Sequence, residues 1–312
     1  MKKVIGVILI IMCMTVCMCS CANKGENGNE KIKVVVTAFP HYDFVRQIAG
    51  DNVDLKMLIK PGNEVHTYDP TPSDIAKISS CDIFVYTGGE SDSWAKNILE
   101  TRENKDMKII SFTEICPAEL ECMDDGHYGE NEHQHSNSYD EHVWTSPVNA
   151  DILALEIYKT LCKVDSENIE IYEQNYKEFS KKLAELDKTF QQIVANASRN
   201  EMVVGDRFPF SHFALEYGIN YTAAFSGCSA ESEPSAQTVA RLADKVKNEG
   251  IPVVFTIEFS NKKVAKNIVS DTTAEILTLH SCHNVTNDEF LSNITYIELM
   301  TQNAQNLRKA LN

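Results

Sequence analysis

Three of the chain's nine histidines stand where a side chain can be offered to a ligand. His66 lies in the stretch Pro61-Gly62-Asn63-Glu64-Val65-His66-Thr67-Tyr68-Asp69-Pro70-Thr71-Pro72-Ser73-Asp74, just past the apolar run 53–59. Three prolines and a glycine pin this loop rather than loosen it, because each proline fixes its own φ. His280 ends a second apolar run, 275–279, and His142 stands between a long polar loop and a helix start at Pro147. Asp206 follows the run 202–204, and Glu258 follows 253–257. In open α/β sheets ligands bind outside the carboxyl ends of strands, so these side chains converge on one cleft. Neutral imidazoles from His66, His142 and His280 with one carboxylate from these strand ends would form a four-coordinate site, the arrangement Zn²⁺ favours. Mn²⁺ prefers more oxygen donors, while Cu²⁺ also accepts imidazole and stays open at this point. Glu64 and Glu258 are secondary candidates, and His212 and His283 are reserves that read more readily as surface or loop histidines.

The elements that must position these residues follow an α/β rhythm. Strands are expected at 32–38, 53–59, 83–87 and 107–111, with helices near 42–49, 74–79 (capped by Ser73) and 94–100. The strands are apolar runs rather than strict alternations, which argues for parallel sheets covered on both faces. Residues 121–141 are rich in Asp, Glu, Asn and Gly and carry His127, His133 and His135. They have no apolar period and read as a polar loop, with the three histidines as a possible secondary metal site. A helix from Pro147 to about 163 follows. Residues 166–197 then place Ile169, Tyr172, Tyr176, Phe179, Leu183, Leu186, Phe190, Ile193 and Ala197 at steps of three and four. That spacing predicts one helix about 45 Å long, and its aromatic seam suits packing on sheet domains better than a coiled coil. The second half repeats strand and helix to the end. The expectation is two α/β lobes of mainly parallel sheets flanked by helices, residues 32–164 and 199–312, joined by a rigid helix over 165–198.

Composition narrows the function classes. With 43% hydrophobic and 24% charged residues the chain is of ordinary globular make-up. A formal net charge of -16 argues against nucleic acid, whose phosphates demand a basic face. Lys2-Lys3 and the apolar stretch 4–16 form a signal peptide too short to span a membrane. The segment Met18-Cys19-Ser20-Cys21-Ala22 is similar to a bacterial lipobox, so Cys21 is expected to be lipidated after removal of 1–20, with 21–31 as a tether. Six of the ten cysteines lie beyond this region and show no CxxC pairing, which excludes a cysteine zinc cluster. Cys228 and Cys282, both in loops of the second half, are the disulfide pair to test first.

At this point the chain resembles a known family, the zinc- and manganese-type solute-binding lipoproteins of bacterial ABC importers. Pro61-Gly62…His66-Thr67-Tyr68-Asp69-Pro70…Asp74 resembles their first histidine loop, and His142-Val143-Trp144-Thr145-Ser146-Pro147 their second histidine motif. The strand ending at Glu258 and the long linking helix match as well. Two positions depart: Gly205-Asp206-Arg207 stands where the family has a His or Glu ligand, and His280 where it has an aspartate. The resemblance implies an exported, monomeric lipoprotein, anchored on the outer face of the bacterial membrane, that captures zinc between its lobes and delivers it to an ABC permease. The alternatives it leaves are a manganese-type receptor and a metal-dependent surface adhesin of the same fold. A zinc hydrolase is a third class, but no HExxH or comparable motif is present, and no enzyme is expected.

Overall fold

Two sheets of four strands, every neighbouring pair parallel, make the framework of the computed structural model, which describes residues 30–117, 140–225 and 234–312. The first holds β1 (Lys33–Val36), β2 (Asp54–Met57), β3 (Ile83–Tyr86) and β4 (Lys108–Ser111) in the order β2-β1-β3-β4. The second holds β5 (Glu201–Val204), β6 (Asn220–Ala223), β7 (Val253–Thr256) and β8 (Glu275–Thr278) in the same pattern, β6-β5-β7-β8. Right-handed crossovers need helices on the faces of such sheets, and helices supply them throughout. The signal, tether, most of the histidine-rich loop and Cys228 lie outside the described residues, and the Cys228–Cys282 pair goes with them. Among the described residues no helix is long and apolar enough to cross a membrane.

The apolar runs of the strands have a direct reason. In the first sheet Val34, Val36, Ile83 and Val85 face one apolar cluster, while Val35 and Phe84 face another on the opposite side. The second sheet divides Met202, Val204 and Phe255 from Val203 and Val254 in the same way. Both faces of the central strands β1, β3, β5 and β7 are therefore dry and show no polar alternation, while the outer strands keep exposed residues such as Lys56, Lys108 and Glu275. Gly205 at the end of β5 is set by close approach: a Cβ there would lie 2.8 Å from the Cα of Ala265. Ala265 belongs to the helix that covers β7, Lys263–Val269.

The inward cluster of the two sheets is continuous, and this decides the relation between the lobes. Its spine is the helix Ile169–Ala195, 27 residues and so about 40 Å long. This helix is a little shorter than the sequence period implies, because residues 166–168 form a 3₁₀ turn. Phe179 meets Phe44 of the helix Phe39–Ala49 with ring centroids 5.4 Å apart, in the first lobe. About three turns on, Phe190 meets Phe213 of the helix Ser211–Tyr217 at 4.8 Å, in the second. The C-terminal helix, Tyr296–Leu311, closes the gap. The Tyr296 ring stands edge-on to Phe44 at 5.1 Å, its N–H donates to Asp43 at 2.7 Å, and its hydroxyl donates to the Trp144 carbonyl at 2.7 Å.

Local signals placed most element ends, with some differences from expectation. Thr71, not Ser73, caps the helix Pro72–Ser80: its side chain and that of Asp74 satisfy each other's backbone N–H in a capping box. Three short pieces went unforeseen, Phe112–Ile115, the 3₁₀ turn Val143–Thr145 and Asn287–Leu291, each too brief to show a period. The helix from Pro147 runs to Val164 as expected.

Phe44 is fully buried and touches rings from three other segments, Phe112, Phe179 and Tyr296. Phe44→Ala is expected to cost about 3–5 kcal/mol of stability, read as a lowered urea midpoint. A loss below about 1 kcal/mol would show that the inter-lobe core is not the main support of the fold.

Candidate metal centre

Three loops bring the site together. His66 is set by its neighbours: Val65 is buried against Ala38 and Ile59, which turns the next side chain the other way. The Glu64 carboxylate accepts from the N–H of Val65 at 3.2 Å and of His66 at 3.4 Å, holding the turn. His142 comes from the stretch before the helix Pro147–Val164. Its backbone N–H and Nδ1 lie 3.0 and 2.7 Å from Oδ1 of Asp140, so the ring is fixed with Nε2 pointing into the cleft. His283 arrives on the loop after β8, where Cys282 takes a positive φ of 60° and reverses the chain. The Trp144 indole N–H donates to the Ser281 carbonyl at 2.9 Å and pins that loop.

His66, His142 and His283 form one group, with a donor atom of each within 4.8 Å of the others. The His142 and His283 rings are perpendicular with centroids 4.7 Å apart, and Nε2 of the first lies 3.1 Å from Nδ1 of the second. His66 stands 5.6 Å from the His142 ring and 5.1 Å from the His283 ring. Tetrahedral zinc with Zn–N bonds near 2.0–2.1 Å needs donors about 3.3 Å apart, so a small closure of His66 completes the geometry. The Nε2 of His283 is buried and finds no hydrogen-bond partner among the described residues. An imidazole nitrogen left in that state fits a site made for a cation. The group lines a cavity of about 30 Å³, shared with Asn63, Glu64, Arg207 and Glu258.

The electrostatics differ from ring to ring. Burial pulls His283 well below the usual histidine range, and the neighbouring His142 charge adds to it. Burial also lowers His66 to about 4, with the His142 charge acting the same way. For His142 burial again favours the neutral ring, but the bond to Asp140 and its charge outweigh that and raise the pKa. Burial pushes the Asp140 carboxyl up, yet the His142 bond and charge hold it down at about 2. His66 and His283 are therefore neutral at pH 7, while the Asp140 carboxylate favours the charged form of His142.

The structure places the sequence candidates unevenly. His66 and His142 come together as expected, while His280 and Asp206 lie outside the group. His280 is turned into its own loop: Nδ1 accepts from the Cys282 N–H at 2.9 Å, and its backbone bonds both ends of the Asn303 amide at 2.7 Å. The side chain that enters the cleft from that loop is His283, three residues on. Asp206 is bound to the Ser260 hydroxyl and to the Arg207 N–H at 2.9 Å, which fixes the turn after β5. Glu258 accepts from the Ser281 N–H at 2.8 Å and from its hydroxyl. Glu64 pairs with Arg207, Nη2 to Oε2 3.3 Å. His212 is buried, with Nε2 2.8 Å from the Asp140 carbonyl. His127, His133 and His135 lie outside the described residues. Sequence reasoning passed over Asp140, Arg207 and the rank of His283. The Asp-Glu-His run at 140–142 was a usable signal, since metal-binding histidines commonly carry a carboxylate partner.

Known proteins share this architecture. Residues 34–310 match a family described as zinc-uptake complex component A, periplasmic. The zinc-binding lipoprotein AdcA of Streptococcus pneumoniae is 30% identical over 312 residues, which is 99% of this chain but 61% of AdcA, so the chain spans about three fifths of that protein. The high-affinity zinc uptake system protein ZnuA of Bacillus subtilis is 30% identical over 322 residues, covering 99% of this chain and 98% of ZnuA. The solved Zn(II)-bound ZnuA-like domain of S. pneumoniae AdcA aligns with a TM-score of 0.73 at 28% identity, over 90% of this chain and 99% of that domain. The laminin-binding protein Lmb of Streptococcus agalactiae, described as an adhesin with metal-transporting activity, aligns at 0.73 and 25% identity, over 90% of this chain and all of that one. With the match running from the first strand nearly to the end of the last helix, this chain belongs to the zinc-uptake component A family.

Proposed function

We propose that this protein is the extracytoplasmic receptor of a zinc importer, which takes Zn²⁺ into the cleft between its lobes and passes it to an ABC permease. The observation that carries this is the group of His66, His142 and His283, drawn from both halves of the chain with donors within 4.8 Å. Three nitrogen donors suit zinc, whereas manganese and calcium sites are built mainly from oxygen. The names of AdcA and ZnuA point to the same ion. Cys21 would anchor the protein to the outer face of the membrane, and no turnover chemistry is needed. Isothermal titration of the metal-stripped protein is expected to give tight one-to-one Zn²⁺ binding and much weaker Mn²⁺ binding. His66→Ala and His283→Ala should each weaken zinc at least about a hundredfold, and His280→Ala by less than about tenfold. Strong loss in His280→Ala with none in His283→Ala would return the third nitrogen to His280.

Capture must displace a proton. His142 Nε2 lies 3.1 Å from Nδ1 of His283, so a proton carried on Nε2 would stand between the two imidazoles where a metal would sit. Because the His142 pKa is raised above its ordinary 6.5, lowering the pH through the neutral range keeps this ring protonated and weakens zinc. His66, lowered to about 4, adds competition only in acid. Titrations at pH 6 in buffers of different ionisation enthalpy should show about one proton released per zinc. Asp140→Asn should abolish most of that release and weaken zinc about 10–100-fold, since Nδ1 loses its carboxylate. No proton released in the parent protein would contradict this account of His142.

Release to the permease is expected to involve little movement of one lobe against the other. Their shared apolar core and cross-lobe bonds, such as Arg46 Nη2 to the Ile294 carbonyl at 2.7 Å, oppose a wide hinge. Small-angle scattering should give indistinguishable radii of gyration with and without zinc. A clear contraction on binding would mean that the loops are not the moving parts.

A further inference from the structure

The cleft holds a cation of its own. Arg207 lines the same cavity as the three histidines, on the turn after β5. Nη2 of its guanidinium lies 3.3 Å from Glu64, while Nη1 is buried and has no hydrogen-bond partner among the described residues. A positive group beside a dication opposes binding unless a negative group stands between them. The other carboxylates near the cavity have partners. Asp140 holds His142 and the Ser211 N–H, Glu258 holds both donors of Ser281, and Glu141 holds the Ser91 N–H and hydroxyl, with its Oε1 also 3.7 Å from His66 Nδ1. None of them belongs to the donor group, so among the described residues three histidines supply three of the four donors a tetrahedral ion takes.

Resting on the zinc reading above, we infer that the fourth ligand is a small anion with an oxygen donor, bound at once to the metal and to Arg207. The planar fork of a guanidinium matches a carboxylate or an oxyanion, and Nη1 is the donor left for it. Glu64 keeps Nη2 engaged and orients the fork. The cavity is small, about 30 Å³, which favours the smallest oxygen-donor anions. The protein then binds zinc and anion together, each raising the affinity for the other by the same factor.

The test is zinc affinity, by competition with a chromophoric chelator, in buffer freed of carbonate, phosphate and carboxylates, and again after adding bicarbonate, phosphate or acetate. Co²⁺ in place of zinc supplies a visible spectrum that reports the fourth ligand. At least one anion is expected to raise zinc affinity tenfold or more and to shift the Co²⁺ bands, and the anion that does so identifies the source. Arg207→Gln should remove the anion dependence of zinc affinity and of the Co²⁺ bands, with its melting temperature in the absence of metal as the check on folding. Affinity and spectrum unmoved by every anion would overturn the inference while leaving the zinc receptor intact. It would also fall if Glu64→Gln alone abolished tight, anion-independent binding, because Glu64 would then be the fourth ligand. A parent protein that binds neither zinc nor Co²⁺ would remove both readings together.

Discussion

The Asp140 carboxylate is the contact on which the site depends. It is buried and accepts three bonds, two from His142 and one, at 2.9 Å, from the Ser211 N–H. The first two bonds set the tautomer and the direction of a ring that belongs to the cleft. The third ties the same oxygen pair to the start of a helix in the second lobe. Its carbonyl adds a bond to His212, so a single residue joins the two halves and aims a donor into the gap between them. A buried charge of this kind is tolerable only because every lone pair facing the protein is used.

Around that residue the molecule is divided between a stiff frame and a softer rim. The frame is the aromatic seam of the long helix with the rings that meet it from both lobes. The rim is the set of loops at the carboxyl ends of the strands, and it is less uniform. His142 and His283 are fully enclosed, while the His66 side chain keeps 23% of its surface. His66 is thus the member of the group that can move without breaking the core. Any adjustment of the group therefore falls to the proline-framed loop that carries it. That loop is still anchored, since the Asn284 amide donates to the carbonyls of Lys60 and Asn63 at 2.9 Å.

Much of the fold was legible in the sequence, because strands buried on both faces and a nine-position seam are loud signals. Two of the three grouped histidines were legible too, through the proline loop and the His-x-Trp motif. The third was not. His280 sits immediately after its strand, where side chains usually face the cleft, and the rule of strand ends pointed to it. The positive φ at Cys282 reverses the chain, so that His280 folds back on Asn303 and His283 takes the place in the cleft. A left-handed residue that is not glycine leaves no mark in composition or period. Asp206 misled for a similar reason: its carboxylate serves the turn after β5, and the side chain that reaches the cavity is the next one, Arg207.

The unbroken apolar cluster also bears on how the chain folds. Two sheets with separate hydrophobic interiors would melt as two units, each able to survive without the other. Here the last helix, Tyr296–Leu311, packs beneath both, with Tyr296 bonded to Asp43 and Trp144 from the first half of the chain. The first lobe is incomplete until the helix Tyr296–Leu311 is in place. Unfolding then becomes a single cooperative event, and a nascent chain lacking its C-terminus has no finished half to protect. Loss of that one helix would therefore open both halves together rather than the second alone.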